Sequence, residues 1–568
     1  MHPIKRFFRL LKLDKRDITY IYLYAIFAGL ITLSLPLGVQ AIIGLIAGGS
    51  VSSSWVLLIG VVTLGTALSG VLTVMQLSVS ETIQQRIFTR SAFDFAYRIP
   101  RIKWEAIHGD YAPELVNRFF DTMTVQKGLP KILMDFSTSI LQIFFGLLLL
   151  SFYHPFFIFF GLLLVAIVLL IIRLTGPQGL NTSIRESKFK YEVAYWLEEL
   201  ARSMGTFKLA GTSELPLQKT DALVNDYLDA RKAHFRVLAL QYGSLVGFKT
   251  LVTAGLLILG SILVIDNRIN IGQFVAAEII IILVMASVEK LILTMEVIYD
   301  TLTALDKLGG FTDLDIEREE GIQFAQLDTG KGIAVELSGV SYRFPDSQAD
   351  SLHDLYLSIA PGERLCIAGY NSSGKSTLLH LIAGVFTDFK GSLTYNKIPF
   401  RNLNAVSLRA HIGDHMTQED IFKGSLLENI TMGHEAVRLE DVISAVEQVG
   451  LGQFVKKLPK GYDTTLLPGG KNLPRNIISK IIFARCIASN PSLLAIEEPF
   501  GFMEKEDRER IANLLTANPN CTLVTVTDDA LIAAKCDRII IMQEGQIVEE
   551  GSFGAIKQSK HFGNVFKI

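Results

Sequence analysis

Six apolar stretches, at about 19–47, 55–77, 133–153, 155–174, 245–265 and 273–301, constrain this chain more than anything else in it. Each reaches the roughly 20 residues that a helix needs to cross a bilayer. Hydrocarbon leaves backbone N–H and C=O groups no partner but each other, so runs of this length are read as helices. Half of the 568 residues are hydrophobic (49%) and only 19% are charged, with a mean hydropathy of +0.36. That balance belongs to a membrane protein.

The connections alternate in character. Gly48–Ser54, the turn at His154-Pro155 and Asp266–Ile271 are short, with Arg268 their one Lys or Arg. The long ones, about 78–131 and 173–244, are rich in Lys and Arg, which places them and both termini on the cytosolic side. They still read as helix. Ser80 to Ile87 continues the second span without a breaker, and breakers come only at Gly109–Pro113 and Gly211–Pro216. Each excursion is therefore a helical hairpin leaving the bilayer, its tip suited to touching a cytosolic domain.

Residues 1–16 place Lys5, Arg6, Arg9, Lys12, Lys15 and Arg16 among Phe7, Phe8, Leu10, Leu11 and Leu13. A basic amphipathic segment of this kind rests on an anionic leaflet. No small-residue cleavage site follows it, so it is not read as a signal peptide. Ionisable residues inside the spans (Asp135, Lys249, Glu278, Glu289, Lys290 and Glu296) are costly in lipid and should meet a partner or a cavity. Of these, Glu278 is the candidate for substrate contact. A net charge of -2 without a basic tail gives no hint of nucleic-acid binding, and no such partner is expected. The four cysteines (Cys366, Cys486, Cys521 and Cys536) lack metal-site spacing and read as reduced core residues.

From 307 to 333 the chain turns polar, which marks a linker, and from 334 to 568 short β-rich runs mix with helices as in an α/β domain. Within it, Glu363 to Ala368 reads as a buried strand. Gly369-Tyr370-Asn371-Ser372-Ser373-Gly374-Lys375-Ser376-Thr377 follows, and then an apolar helix to Val385. G-x-x-x-x-G-K-[ST] in that setting is a phosphate cradle. Loop amides and the helix start favour an anion, Lys375 can follow the β- and γ-phosphates, and Ser376 offers a hydroxyl to Mg²⁺. Val335–Phe344 alternates as a strand and ends in an aromatic pair that could stack on an adenine ring.

Later motifs narrow the class. In order come Gly424-Ser425-Leu426-Leu427-Glu428-Asn429-Ile430, Leu458-Pro459-Lys460-Gly461-Tyr462-Asp463, Asn490 to Pro499 with Glu497-Glu498, and Asp537 to Gly551. Together with six spans and two long excursions, this order resembles an ATP-binding cassette (ABC) exporter half-transporter along essentially the whole chain. The resemblance implies a dimer of halves, with ATP held between one cassette's phosphate loop and the other's signature motif. It makes Phe344 the adenine platform, Lys375 and Ser376 the phosphate and Mg²⁺ ligands, Glu497 the second metal position and Glu498 the water-polarising base. Gln418 stands nearest the Q-loop glutamine, whose aligned position holds Thr417. The implied setting is a cytoplasmic membrane, crossed several times.

Several motifs depart from the family pattern. The signature position reads Leu473-Pro474-Arg475-Asn476-Ile477, where Pro474 brings neither hydroxyl nor N–H. Glu497 replaces the usual Asp and is longer by about one 1.5 Å bond. Asp528 stands where a switch histidine is expected, and Gly501-Phe502-Met503-Glu504 forms the D-loop. The expectation is ATP binding with weak turnover by this chain alone. Two readings follow: an exporter working as homodimer or heterodimer, or a catalytically weak membrane subunit that binds ATP as a gate or scaffold. Polypeptides handed to a periplasmic adaptor, lipids and small amphipathic molecules all stay open as cargo.

Overall fold

A computed structural model describes residues 3–47, 53–107, 112–327, 330–416, 421–498, 500 and 503–566. The chain divides into two compact units.

The first unit is all helix. α1 (Pro3–Leu13) precedes α2 (Lys15–Thr32) and α3 (Ser34–Ala47), then α4 (Ser53–Arg98), α5 (Ala112–Asn117), α6 (Asp121–Tyr153), α7 (Phe156–Arg202), α8 (Met204–Leu209), α9 (Leu215–Ile265) and α10 (Ile271–Thr312). Six of these stretches are long and apolar enough to cross a membrane, as the sequence requires. The first expected span is two helices, α2 and α3, meeting at Leu33. Pro36, three residues on, has no N–H to give, and the ladder shortens there to a Leu33 N–H donating to the Leu30 carbonyl at 3.3 Å. The 51 residues of α9 make a rod about 75 Å long, more than twice the roughly 30 Å of hydrocarbon. The excess is the excursion.

α10 is the central element, with half of its apolar window buried. Its neighbours meet it through glycines. A Cβ on Gly128 or Gly146 of α6 would lie 2.1 Å from Thr301 or 2.6 Å from Val284. On Gly179 of α7 or Gly260 of α9 it would lie 2.4 Å from the Tyr299 ring or 2.5 Å from Phe274. Without a hydrophobic drive between helices in lipid, close approach over small residues supplies the attraction. Tyr299, seated in the Gly179 notch, accepts a hydrogen bond from Gln241 at 2.7 Å, and Gln241 also donates to Thr175 at 2.8 Å.

Four of the six ionisable residues read inside the spans pair with one another. Lys290 meets Asp135 at 2.8 Å and Lys249 meets Glu289 at 3.2 Å. Adjacent residues of α10 thus tie it to α6 on one side and α9 on the other. Glu278 is half-buried on the same helix. At the N-terminus Arg6 lies under α10, donating to the carbonyls of Leu305 (2.9 Å) and Asp306 (3.3 Å) and pairing with Asp313. Ile4, Phe8 and Leu13 stay exposed beside Lys5, Arg9 and Lys12.

The second unit begins at residue 315 but also takes in the tip of the first excursion. Ile102 bridges Ile316, and the Lys103 N–H donates to Asp315 at 2.9 Å. Glu105 accepts the amides of Thr387 (2.6 Å) and Asp388 (3.1 Å), and Lys103 pairs with Asp388 at 3.2 Å. Of the expected breaker, residues 109–111 lie outside the described residues.

Two main sheets build this unit, beside a short antiparallel pair of β7 (Gly424–Ser425) and β8 (Thr465–Leu466). One is antiparallel, in the order β2 (Leu352–Ile359), β1 (Val335–Tyr342), β4 (Lys390–Tyr395), β5 (Ile398–Pro399). The other runs β12 (Gln546–Gly551), β11 (Arg538–Gln543), β3 (Arg364–Gly369), β10 (Thr522–Val526), β9 (Leu493–Glu497), β6 (Ile412–His415). Its strands are parallel except the edge strand β12. β9 and β10 are buried at every position, because a parallel sheet is covered on both faces and needs unbroken apolar strands. β3 lies inside this sheet and opens directly into the phosphate-loop sequence.

Candidate nucleotide site

The loop leaves the carboxyl end of β3, where open α/β sheets bind ligands. Gly369 is packed so closely on β11 that a Cβ would come within 2.3 Å of the Met542 carbonyl, and its φ is +151°. Gly374 caps α11 (Lys375–Ile382) in the left-handed region at φ +90°, with the Ser351 carbonyl 2.7 Å from where a Cβ would stand. Only glycine fits either place without strain. The two fix the ends of a loop whose middle, Ser372, also has positive φ (59°).

Lys375 folds back over this loop. Its Nζ donates to the carbonyls of Gly369 (3.0 Å) and Tyr370 (2.6 Å). Burial pulls its pKa below the usual lysine range, while Glu498, Asp528 and Glu497 each work to raise it. One half-buried ammonium therefore faces three carboxylates. The Ser376 hydroxyl donates to the buried Glu497 carboxylate at the end of β9. This pair of oxygens suits a small hard cation that shares its remaining ligands with phosphate oxygens. Glu498 follows in an exposed position with φ +41°, its N–H donating to Val526 at 2.9 Å. A non-glycine residue held in that region carries strain of about 1–3 kcal/mol, and such strain gathers at functional positions.

A cleft of about 490 Å³ opens over the loop, lined by Phe344 and by Ser372 through Thr377. Phe344 stands edge-on to Tyr342 (5.1 Å) and Phe386 (5.7 Å), which hold it at the wall. Tyr370 takes another direction, with its hydroxyl 3.1 Å from His561 Nδ1, so its part in the cradle is its backbone. Thr417 and Gln418 lie outside the described residues, as do Gly501 and Phe502 of the D-loop.

Glu544 and Gly545 also line the cleft, and neither was among the expected site residues. Both have positive φ (49° and 76°), as a two-residue hairpin turn between β11 and β12 requires. The turn itself is readable from the dipeptide. Its docking, with the Gly545 N–H on the Ser373 carbonyl at 3.1 Å, is a tertiary fact.

At the altered signature position the helix Arg475–Ala488 starts with Pro474 as its cap and no side-chain cap bond. Ile477 and Ile478 donate back to the Pro474 carbonyl at 3.0 and 3.1 Å, and Arg475 is exposed. A guanidinium and a helix start capped by proline therefore stand where a hydroxyl would be expected.

Comparison with known proteins assigns both units. Residues 352–501 match the ABC transporter family and residues 18–288 match the ABC transporter transmembrane region. Among curated relatives, the chain is 29% identical over 303 residues to the cyclolysin secretion/processing ATP-binding protein CyaB of Bordetella pertussis, covering 53% of this chain and 42% of that protein. It is 24% identical over 347 residues to the transport/processing ATP-binding protein ComA of Streptococcus pneumoniae (61% and 48%). It is 28% identical over 248 residues to the uncharacterized ABC transporter ATP-binding protein YfiB of Bacillus subtilis (44% and 42%). The matched stretches thus span less than half the length of these relatives. A solved bacterial Atm1-family ABC exporter with ATP bound shares the fold, at a TM-score of 0.81 and 16% identity over 97% of both chains. The chain is a multi-pass membrane protein with an ATP-binding domain.

Proposed function

We propose, from the premise that this chain belongs to the ABC transporter family with both its transmembrane and its ATP-binding parts, that it is one half of an ATP-driven exporter. The carrying observation is that Phe344 and the phosphate loop line one cleft at the end of β3, with the Ser376 hydroxyl of that loop donating to Glu497. In this reading Phe344 supports the adenine, and the amides of residues 369–377 with Lys375 hold the phosphates. Ser376 and Glu497 hold Mg²⁺, which would neutralise charge on the phosphate oxygens. Glu498 orients the attacking water, and Gln418 is the residue beside the Q-loop glutamine position. The partner is a second half, either a copy of this chain or a related one. The membrane is the cytoplasmic one, with α1 resting its Phe8 and Lys12 side on the anionic leaflet. Relatives named for secretion and transport/processing make a polypeptide the first cargo to try.

Turnover by this chain alone is weak. Pro474 removes a hydroxyl and an amide from the far side of a composite site, and each such donor is worth about 100- to 1,000-fold in rate. Asp528 adds a negative charge near the phosphates where a donor is expected. These same two substitutions are what favour the second reading, a gate or scaffold that binds ATP without driving transport. Phosphate release from purified protein in lipid nanodiscs, against Lys375→Ala, tests the first point. A rate of several per second that vanishes in the variant overturns the proposal of weak turnover. Substrate-stimulated hydrolysis in an assembly with a partner half supports export, and ATP binding without hydrolysis in every assembly supports the gate.

A further inference from the structure

A cleft of about 600 Å³ in the second unit has a lining different from that of the nucleotide cleft. It lies between the excursion tip (Lys103), the start of the unit (Glu317 to Glu320) and the antiparallel sheet. Five cations and four carboxylates line it, but the carboxylates are mostly committed. Asp388 pairs with Lys103 at 3.2 Å, Asp350 with Arg343, and Glu317 with Arg409, which is not a lining residue. Among the described residues, Arg318 and Lys390 hold no ion pair, and Arg401 donates only to the Phe389 carbonyl at 3.1 Å. Against these three exposed cations stands a single uncommitted carboxylate, Glu320. The surplus is positive, in a concave place that concentrates its field.

Beneath the cations the floor is aromatic. Phe389 and Phe400 are buried with centroids 6.2 Å apart, and the Arg401 guanidinium lies 5.9 Å over Phe389. Exposed arginines beside an apolar floor recognise a phosphate group carried on a flat or greasy body. We propose that this cleft binds a phosphate-bearing anion distinct from the nucleotide at the phosphate loop. The ligand's phosphate would sit among Arg318, Lys390 and Arg401. Because these residues come from the unit's first strand-free segment, from β4 and from the 3-10 turn after β5, the ligand would clip together stretches remote in sequence. The inference stands whether or not the chain hydrolyses ATP.

The test uses the full chain in nanodiscs carrying Lys375→Ala, so that the phosphate loop is weakened and the charge reversals below tell the two sites apart. Equilibrium dialysis with pyrophosphate should show one saturable site per chain. Arg318→Glu and Lys390→Glu should each weaken it at least about tenfold, as loss of a charge-assisted contact does, while Lys390→Arg retains it. In a second arm, vesicles with phosphatidic acid compete with pyrophosphate if the natural source is a lipid headgroup and do not if it is soluble. ATP binding by the same charge-reversal variants with Lys375 intact reports that the domain is folded. No saturable pyrophosphate site in the Lys375→Ala protein, or one indifferent to both charge reversals, overturns the proposal.

Discussion

The two units use glycine for opposite reasons. In the membrane unit Gly128, Gly146, Gly179 and Gly260 have ordinary helical backbone, and what each lacks is a side chain that would strike α10. In the second unit Gly369 and Gly374 combine crowding with positive φ, so the backbone itself excludes other residues. The units also differ in how they treat charge. The membrane helices pair Asp135 with Lys290 and Lys249 with Glu289, whereas at the phosphate loop one lysine feels three carboxylates. Paired charge holds a bundle together at low cost in lipid. Charge left in surplus at a cleft is available to a ligand.

The sharpest way to break this contrast is at the lysine. Lys375→Ala should cost ATP affinity about 10- to 100-fold, the worth of a charge-assisted contact of about 1.5–3 kcal/mol, read by nucleotide titration. An unchanged affinity would mean the cleft is not the nucleotide site. Next comes a matched pair of glycine changes. Gly369→Ala should destabilise the second unit by about 1–3 kcal/mol from backbone strain, with the Met542 clash added. Gly179→Leu should lower the thermal midpoint of the membrane unit by overpacking worth about 1–3 kcal/mol, and pairing it with Tyr299→Ala should recover part of that loss. If Tyr299→Ala gives no rescue, the notch reading fails.

Smaller effects separate the two treatments of charge. Burial lowers the Lys375 pKa, so ATP affinity should begin to fall on the alkaline side before an ordinary lysine would lose its proton. Asp528 raises that pKa, so Asp528→Asn should move the fall to lower pH. A shift in the other direction would place Asp528 outside the field of the lysine. Last, Lys249→Met should cost about 1 kcal/mol, the usual worth of a polar contact between membrane helices, and Glu289→Gln in the same protein should return most of it. Denaturation in mixed micelles measures both.

What could be read in advance follows the same division. A positive-φ glycine leaves a local signature, because the turn it permits is written in its neighbours, and the Gly369–Thr377 loop was legible for that reason. The hairpin at Glu544-Gly545 was equally local. Its contact with Ser373 depends on β11 and β3 lying side by side, which no window of sequence contains. The glycine notches under α10 were invisible because a helical Gly179 looks like any other small residue until Tyr299 arrives from 120 positions away. The ion pairs fall between. That the intramembrane charges needed partners followed from the cost of charge in lipid, but the pairing of Asp135 with Lys290 rather than with Lys249 did not. The break at Leu33 was available in Pro36 and was lost because the apolar run continues through it.

Residues 101–107 have a consequence for how the protein is made. They leave the ribosome some two hundred residues ahead of Asp315 and almost three hundred ahead of Thr387, the places that receive them. A nascent chain must carry this finger undocked through the synthesis of four more membrane helices. A gene cut at residue 314 would separate the finger from its seat for good, leaving the Thr387 and Asp388 amides without Glu105. The two halves of such a split gene are better regarded as fragments than as domains.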